Sequence, residues 1–154
     1  MRHAAVENVV NAAFFSTGQK CTATSRAIVE DAIYDRFVAA VVERTRKLKV
    51  GDGMQPGIEI GPCVDQAQME TVLRYIEIAR KESGEPACGG GRLAEGALAK
   101  GYFVEPTVFA GVTPQQTIAR EEIFGPALAI MRAHDFADAM AIAHAIPFGL
   151  SSSI

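Results

Sequence analysis

Apolar positions along this 154-residue chain switch repeatedly between helical and extended spacing, and the switches mark out its elements,. Val6, Val9, Val10 and Ala13 recur at helical intervals over residues 4–13. A polar, glycine-containing stretch from Ser16 to Lys20 follows. Arg26 to Val29 then sets Ala27, Ile28 and Val29 side by side, as a short buried strand does,. The clearest helix places Ile33, Phe37, Ala40, Val41 and Leu48 on one stripe,. Glu30 and Asp31 stand at its start, and Gly51 follows as a stop,. Another helix begins at Asp65, with Gln68 three residues on as a variant of the capping box,. Met69, Val72, Leu73, Ile76 and Ala79 line its buried face, and Gly84 ends it.

The second half is more broken. Residues 84–101 are rich in glycine and read as turns or a hairpin. Tyr102 to Phe109 reads as extended, with Pro106 arguing for an edge or a bulge,. Ala127 to Met131 is a compact apolar strand. Asp135 caps a last helix through Ala145, Pro147 stops it, and Phe148 to Ile154 turns extended again,. Strands alternating with helices predict an α/β domain with a mainly parallel sheet covered by helices. Cys21 is expected on a loop or helix start at one edge of that sheet.

Composition narrows the classes. Hydrophobic residues make up 49%, charged residues 21%, and the net charge is -3. That balance supplies no electrostatic pull toward nucleic acid or an anionic membrane. The longest cationic cluster, Arg44, Arg46, Lys47 and Lys49, suits the carboxyl end of a helix,. No apolar run approaches the ~20 residues of a membrane span, and the amino terminus carries no secretory pattern. The three cysteines, Cys21, Cys63 and Cys88, form no C-x-x-C pair. Free thiols in a reducing cytosol are expected, with no disulfide framework and no metal site.

Cys21 lies in a run from Phe14 to Arg26 that suits a presented nucleophile. Gly18 permits a tight or left-handed backbone, and Thr22 and Ala23 leave room beside the thiol,. Lys20 and Arg26 would favour a thiolate if they point inward. A small buried filler is the equal alternative for Cys21, and it is the favoured reading for Cys63 and Cys88. Arg120-Glu121-Glu122-Ile123-Phe124-Gly125-Pro126 precedes a strand. Its two carboxylates could bind a sugar hydroxyl, act as a base or hold a metal, although such a pair is more commonly a solvated helix end. His3, His134 and His144 make no recognisable Cys-His arrangement, and the glycines at 89–91 fit neither a dinucleotide fingerprint nor a Walker motif,.

Five stretches, taken in order, resemble the aldehyde dehydrogenase superfamily: Gly18-Gln19-Lys20-Cys21-Thr22, Ile60-Gly61-Pro62, Gly101 to Thr107, Glu121 to Pro126, and Phe148-Gly149-Leu150-Ser151. The resemblance implies NAD- or NADP-dependent oxidation of an aldehyde or semialdehyde to the acid, through a cysteine thiohemiacetal and thioester. Cys21 matches the nucleophile and its amide the oxyanion donor. Glu122 matches the carboxylate on the nicotinamide-side ribose, and Phe124 the aromatic near the nicotinamide. Residues 16–26 resemble the subgroup acting on α-ketoglutarate semialdehyde (2,5-dioxopentanoate). The whole enzyme is then expected to be a cytoplasmic homo-oligomer with a small aldehyde as substrate. Residues 1–154 would be its cysteine-bearing catalytic segment, truncated at both ends. No position matches the family's general base, asparagine oxyanion donor or dinucleotide domain, so the isolated chain is expected to be inactive. A non-catalytic module retaining the same core is the alternative, and a Cys21–histidine thiol hydrolase has no motif in support.

Overall fold

The computed structural model describes residues 3–149 and 151–154; Leu150, inside the extended stretch expected at 148–154, lies outside them. Three strands, β1 (Arg26–Glu30), β4 (Thr107–Ala110) and β5 (Ala127–Ala133), form a parallel sheet in the order β1-β5-β4. Arg26 lies opposite Ala129 and Glu30 opposite Ala133 on one side of β5. Thr107 lies opposite Ala127 and Ala110 opposite Ile130 on the other. Every residue of β5 except Arg132 is buried, as a central strand covered on both faces requires,. The short strands β2 (Arg92–Leu93) and β3 (Phe103–Val104) pair antiparallel beside it. Only β2 of this hairpin lies in the glycine-rich stretch 84–101, read as turns or a hairpin; β3 comes from the extended stretch after it.

Strand alternation sends the side chains of β5 to two separate cores. Ala127, Ala129, Met131 and Ala133 face α3 (Gln66–Ser83), joined by α4 (Thr117–Arg120) and Ile142 of α5 (Phe136–His144). Leu128 and Ile130 face α1 (His3–Phe14) and α2 (Tyr34–Thr45). The result is three layers, helix, sheet and helix. Met131, Ile130 and Leu128 are wholly buried, and each such side chain contributes about 1.5–3 kcal/mol relative to exposure. The expected α/β class and parallel sheet are therefore what the chain forms.

Several boundaries differ from the reading of the sequence. Ile33 is exposed, and Tyr34 takes its place on the buried stripe with Phe37 and Val41. Its hydroxyl explains the choice: Tyr34 Oη donates to the Ile130 carbonyl at 3.2 Å and accepts from Gly111 N–H at 2.6 Å. A buried phenol is tolerated when its polar end is paired. The helix ends at Thr45, and a tight turn through Leu48, closed by Leu48 N–H to the Thr45 carbonyl at 3.1 Å, precedes Gly51. Pro106 splits the extended stretch, so that β3 joins the hairpin and β4 joins the edge of the parallel sheet,. Residues 151–154 are exposed and form no strand. The short helix α4 has no counterpart in the hydrophobic pattern.

Candidate active site

Helix α1 ends on the buried Phe14, and the chain then enters three successive left-handed residues: Ser16 (φ 56°), Thr17 (φ 59°) and Gly18 (φ 65°). For serine and threonine this conformation costs about 1–3 kcal/mol each, so the surroundings must enforce it. Thr17 is buried, and its hydroxyl is shared between the carbonyls of Gly61 (3.2 Å) and Pro62 (3.3 Å). Gln19 N–H donates to Ser16 at 3.0 Å, and Gln19 Oε1 accepts from Val64 N–H at 3.0 Å. A turn closed by Ala23 N–H to the Lys20 carbonyl, 2.9 Å, then carries Cys21 and Thr22 at its tip. Thr24 N–H returns to Ala12 of α1 at 3.0 Å. Cys21 is exposed, and its backbone N–H has no partner among the described residues.

A second loop meets this one. Glu121 leaves α4 and accepts from Tyr75 Oη at 2.7 Å. That contact, more than burial, raises the Tyr75 phenol above its ordinary value. Glu122 is exposed and unpaired among the described residues. Ile123 is buried as the anchor, and Phe124 turns outward, 40% exposed, with φ 57°. Gly125 packs on α3, where an added Cβ would come within 2.3 Å of Val72 Cγ2. Gly18 presses on the same loop: a Cβ there would fall 2.2 Å from the Gly125 carbonyl oxygen. The two sequence stretches, about a hundred residues apart, thus touch backbone to backbone.

Between the loops lies a cleft of about 490 Å³, lined by Ser16, Gln19, Val64, Gln68 and Phe124. Asp65 caps α3, accepting from Gln68 N–H at 2.8 Å. The side chain of Gln68 does not complete the expected box. Its Nε2 donates instead to the carbonyls of Ile123 (3.1 Å) and Phe124 (2.9 Å). No hydrogen bond joins Cys21 to Glu122 or Phe124 among the described residues.

The other candidates fall elsewhere. Arg26 is turned away from Cys21: its guanidinium donates to the carbonyls of Ile142 (3.4 Å) and Ala143 (3.2 Å), near the end of α5. Cations suit that end of a helix. Lys20 is exposed. Cys63 and Cys88 are buried, and burial pushes the Cys63 thiol up to about 11 and the Cys88 thiol upward as well. His134 sits on the surface against Asp31, with Nδ1 to Oδ2 at 3.1 Å, and His144 ends α5 exposed. Within the described residues no cluster of three His, Cys, Asp or Glu could hold a metal, and no helix is long and apolar enough to cross a membrane. Sequence reasoning passed over Gln19 and Thr17, and it read Gln68 only as a cap. No local pattern announces a bond spanning 55 residues.

The chain is similar to known proteins along its length. It is 43% identical over 151 residues to the alpha-ketoglutaric semialdehyde dehydrogenase of Bacillus subtilis (strain 168), covering 98% of this chain and 31% of that protein. The alpha-ketoglutarate semialdehyde dehydrogenase of Haloferax volcanii is 45% identical over 150 residues, covering 97% and 31% respectively. Among solved structures, 1-pyrroline-5-carboxylate dehydrogenase from Thermus with bound NAD superposes with a TM-score of 0.86 at 43% identity, over 94% of this chain and 27% of that one. Betaine aldehyde dehydrogenase from Staphylococcus aureus in complex with NAD+ gives 0.91 at 32% identity, over 94% and 29%. The chain thus spans about 31% of the length of the two curated relatives. Residues 2–154 match the model of the aldehyde dehydrogenase family, and the chain belongs to that family.

Proposed function

We propose that this chain carries the thiol half of an aldehyde-oxidising site, with Cys21 as the nucleophile and the Phe124 loop as the wall facing a nicotinamide cofactor. The observation that supports this reading is the strained Ser16–Gly18 turn. It leads to an exposed Cys21 whose N–H has no partner among the described residues, and the neighbouring Ser16 and Gln19 line a cleft of about 490 Å³. The Cys21 thiolate adds to an aldehyde carbon and forms a thiohemiacetal. Its backbone N–H donates to the oxygen that gains charge. Loss of hydride leaves a thioester on Cys21, and water then releases the acid and restores the thiol.

The residues present fit one end of a nicotinamide dinucleotide. An exposed, unpaired carboxylate at Glu122 can accept from ribose hydroxyls, and the Phe124 ring stands on the cleft wall. When bound, the cofactor supplies the hydride acceptor. The solved relatives carry NAD, which favours it here. The substrate class proposed is a semialdehyde, in keeping with the names of the two curated relatives above.

An activated ester tests the nucleophile without the cofactor. Incubation with p-nitrophenyl acetate is expected to acetylate Cys21, read by peptide mass. Cys21→Ala should abolish the modification. Acetylation at Cys63 or Cys88 instead, or none above the Cys21→Ala background, would remove the basis for the proposal.

A further inference from the structure

Phe124 holds a left-handed backbone, φ 57°, with no glycine to make it easy,. The relative direction of the carbonyls of Ile123 and Phe124 is set by the φ and ψ of Phe124. In an extended chain successive carbonyls point opposite ways. In a helical-type conformation of either hand they point the same way. One donor nitrogen reaches both only in the second case, and Gln68 Nε2 does so at 3.1 and 2.9 Å. Its amide nitrogen thus bridges the two carbonyls of the loop. The glutamine is fixed from behind, because its own N–H is held by Asp65 at the start of α3. We propose that Gln68 is a positioning residue that locks Phe124 in its left-handed state and thereby sets the adjoining Glu122. Its functional meaning rests on the reading given above, in which Phe124 and Glu122 face the cofactor.

Tyr75 and Val72, farther along α3, hold the flanks of the same loop at Glu121 and Gly125. Among the described residues, Gln68 is the side chain that hydrogen-bonds to the carbonyls on both sides of the Phe124 torsion. Gln68→Met keeps the length and removes both donors. Gln68→Glu keeps the shape and sets an acceptor against two acceptors. The test uses the isotope-labelled 154-residue chain. The amide–Hα coupling and Cα shift of Phe124 report its φ, and chymotryptic cleavage after Phe124 reports release of the loop. In both variants the left-handed signature of Phe124 is expected to disappear. Cleavage there should rise roughly tenfold or more, as expected for two lost hydrogen bonds in a local opening. Cleavage after Phe136, 56% exposed on α5, should stay unchanged. An unaltered Phe124 signature in both variants would overturn the assignment, as would equal acceleration at Phe136, which signals general loosening. Acylation of Cys21 in the parent chain reports the functional reading separately, so the two can fail independently.

Discussion

Cys63 sits in the core on one side of the sheet and Cys88 in the core on the other, while Cys21 stands in solvent. Chemistry at these three sulfurs should separate accordingly. A thiol raised from 9.0 to about 11 carries about a hundredfold less thiolate near pH 8. Iodoacetamide at pH 8 should therefore label Cys21 well before Cys63 or Cys88, with peptide mapping as the readout. Labelling of Cys63 should climb only as the pH approaches 11. Equal rates at pH 8 would count against an exposed nucleophile. The residues alone favoured burial for Cys63 and Cys88 and left Cys21 open between a presented thiol and a buried filler; the structure leaves it exposed. The sequence could not place Gln68, whose partners lie in another loop, nor foresee that Arg26 serves the end of α5. Long polar side chains choose partners across the fold, and local pattern says little about which.

At the scale of elements, both N-terminal caps were legible. Asp65 accepts from Gln68 N–H, and Asp135 from Asp138 N–H. The parallel strands were legible too, because a strand buried on both faces is apolar throughout. The break at Pro106 and the swap of Ile33 for Tyr34 were not, since each depends on what lies opposite. The turn before Cys21 is the element on which the site hangs. Gly18→Ala puts a methyl into the Gly125 carbonyl and strains a left-handed backbone,. We expect a loss of about 1–3 kcal/mol in urea denaturation. Gly53→Ala, where an added Cβ meets nothing within 4 Å, should stay within about 0.5 kcal/mol of the parent. Similar values for the two would mean that the loops do not bear on each other.

For the molecule as a whole, the function proposed above gives Glu122 and Phe124 as the residues that meet one end of a cofactor. Two contacts do not offset the several kcal/mol of freedom lost on binding, and hydrolysis without a positioned base forgoes ~10²–10⁴ in rate. The purified 154-residue chain should therefore show no steady oxidation of semialdehydes with NAD or NADP, followed at the reduced-cofactor absorbance. Turnover that vanishes in Cys21→Ala would show that these residues assemble more of the site than proposed. The parallel sheet covered by helices was readable from the alternation of periods. The meeting of Gly18 with Gly125 was not, because it is set by the order of strands.

That order has a consequence in time. β1 and β4 do not pair with each other; both wait for β5, the last strand of the described chain. During synthesis, β1 and β4 emerge before the neighbour they share,. Closing contacts across such sequence separations is slow, and it leaves apolar edges open meanwhile. The turn that presents Cys21 also needs Gly125 behind it, so the thiol takes its final setting only when the ribosome has released β5.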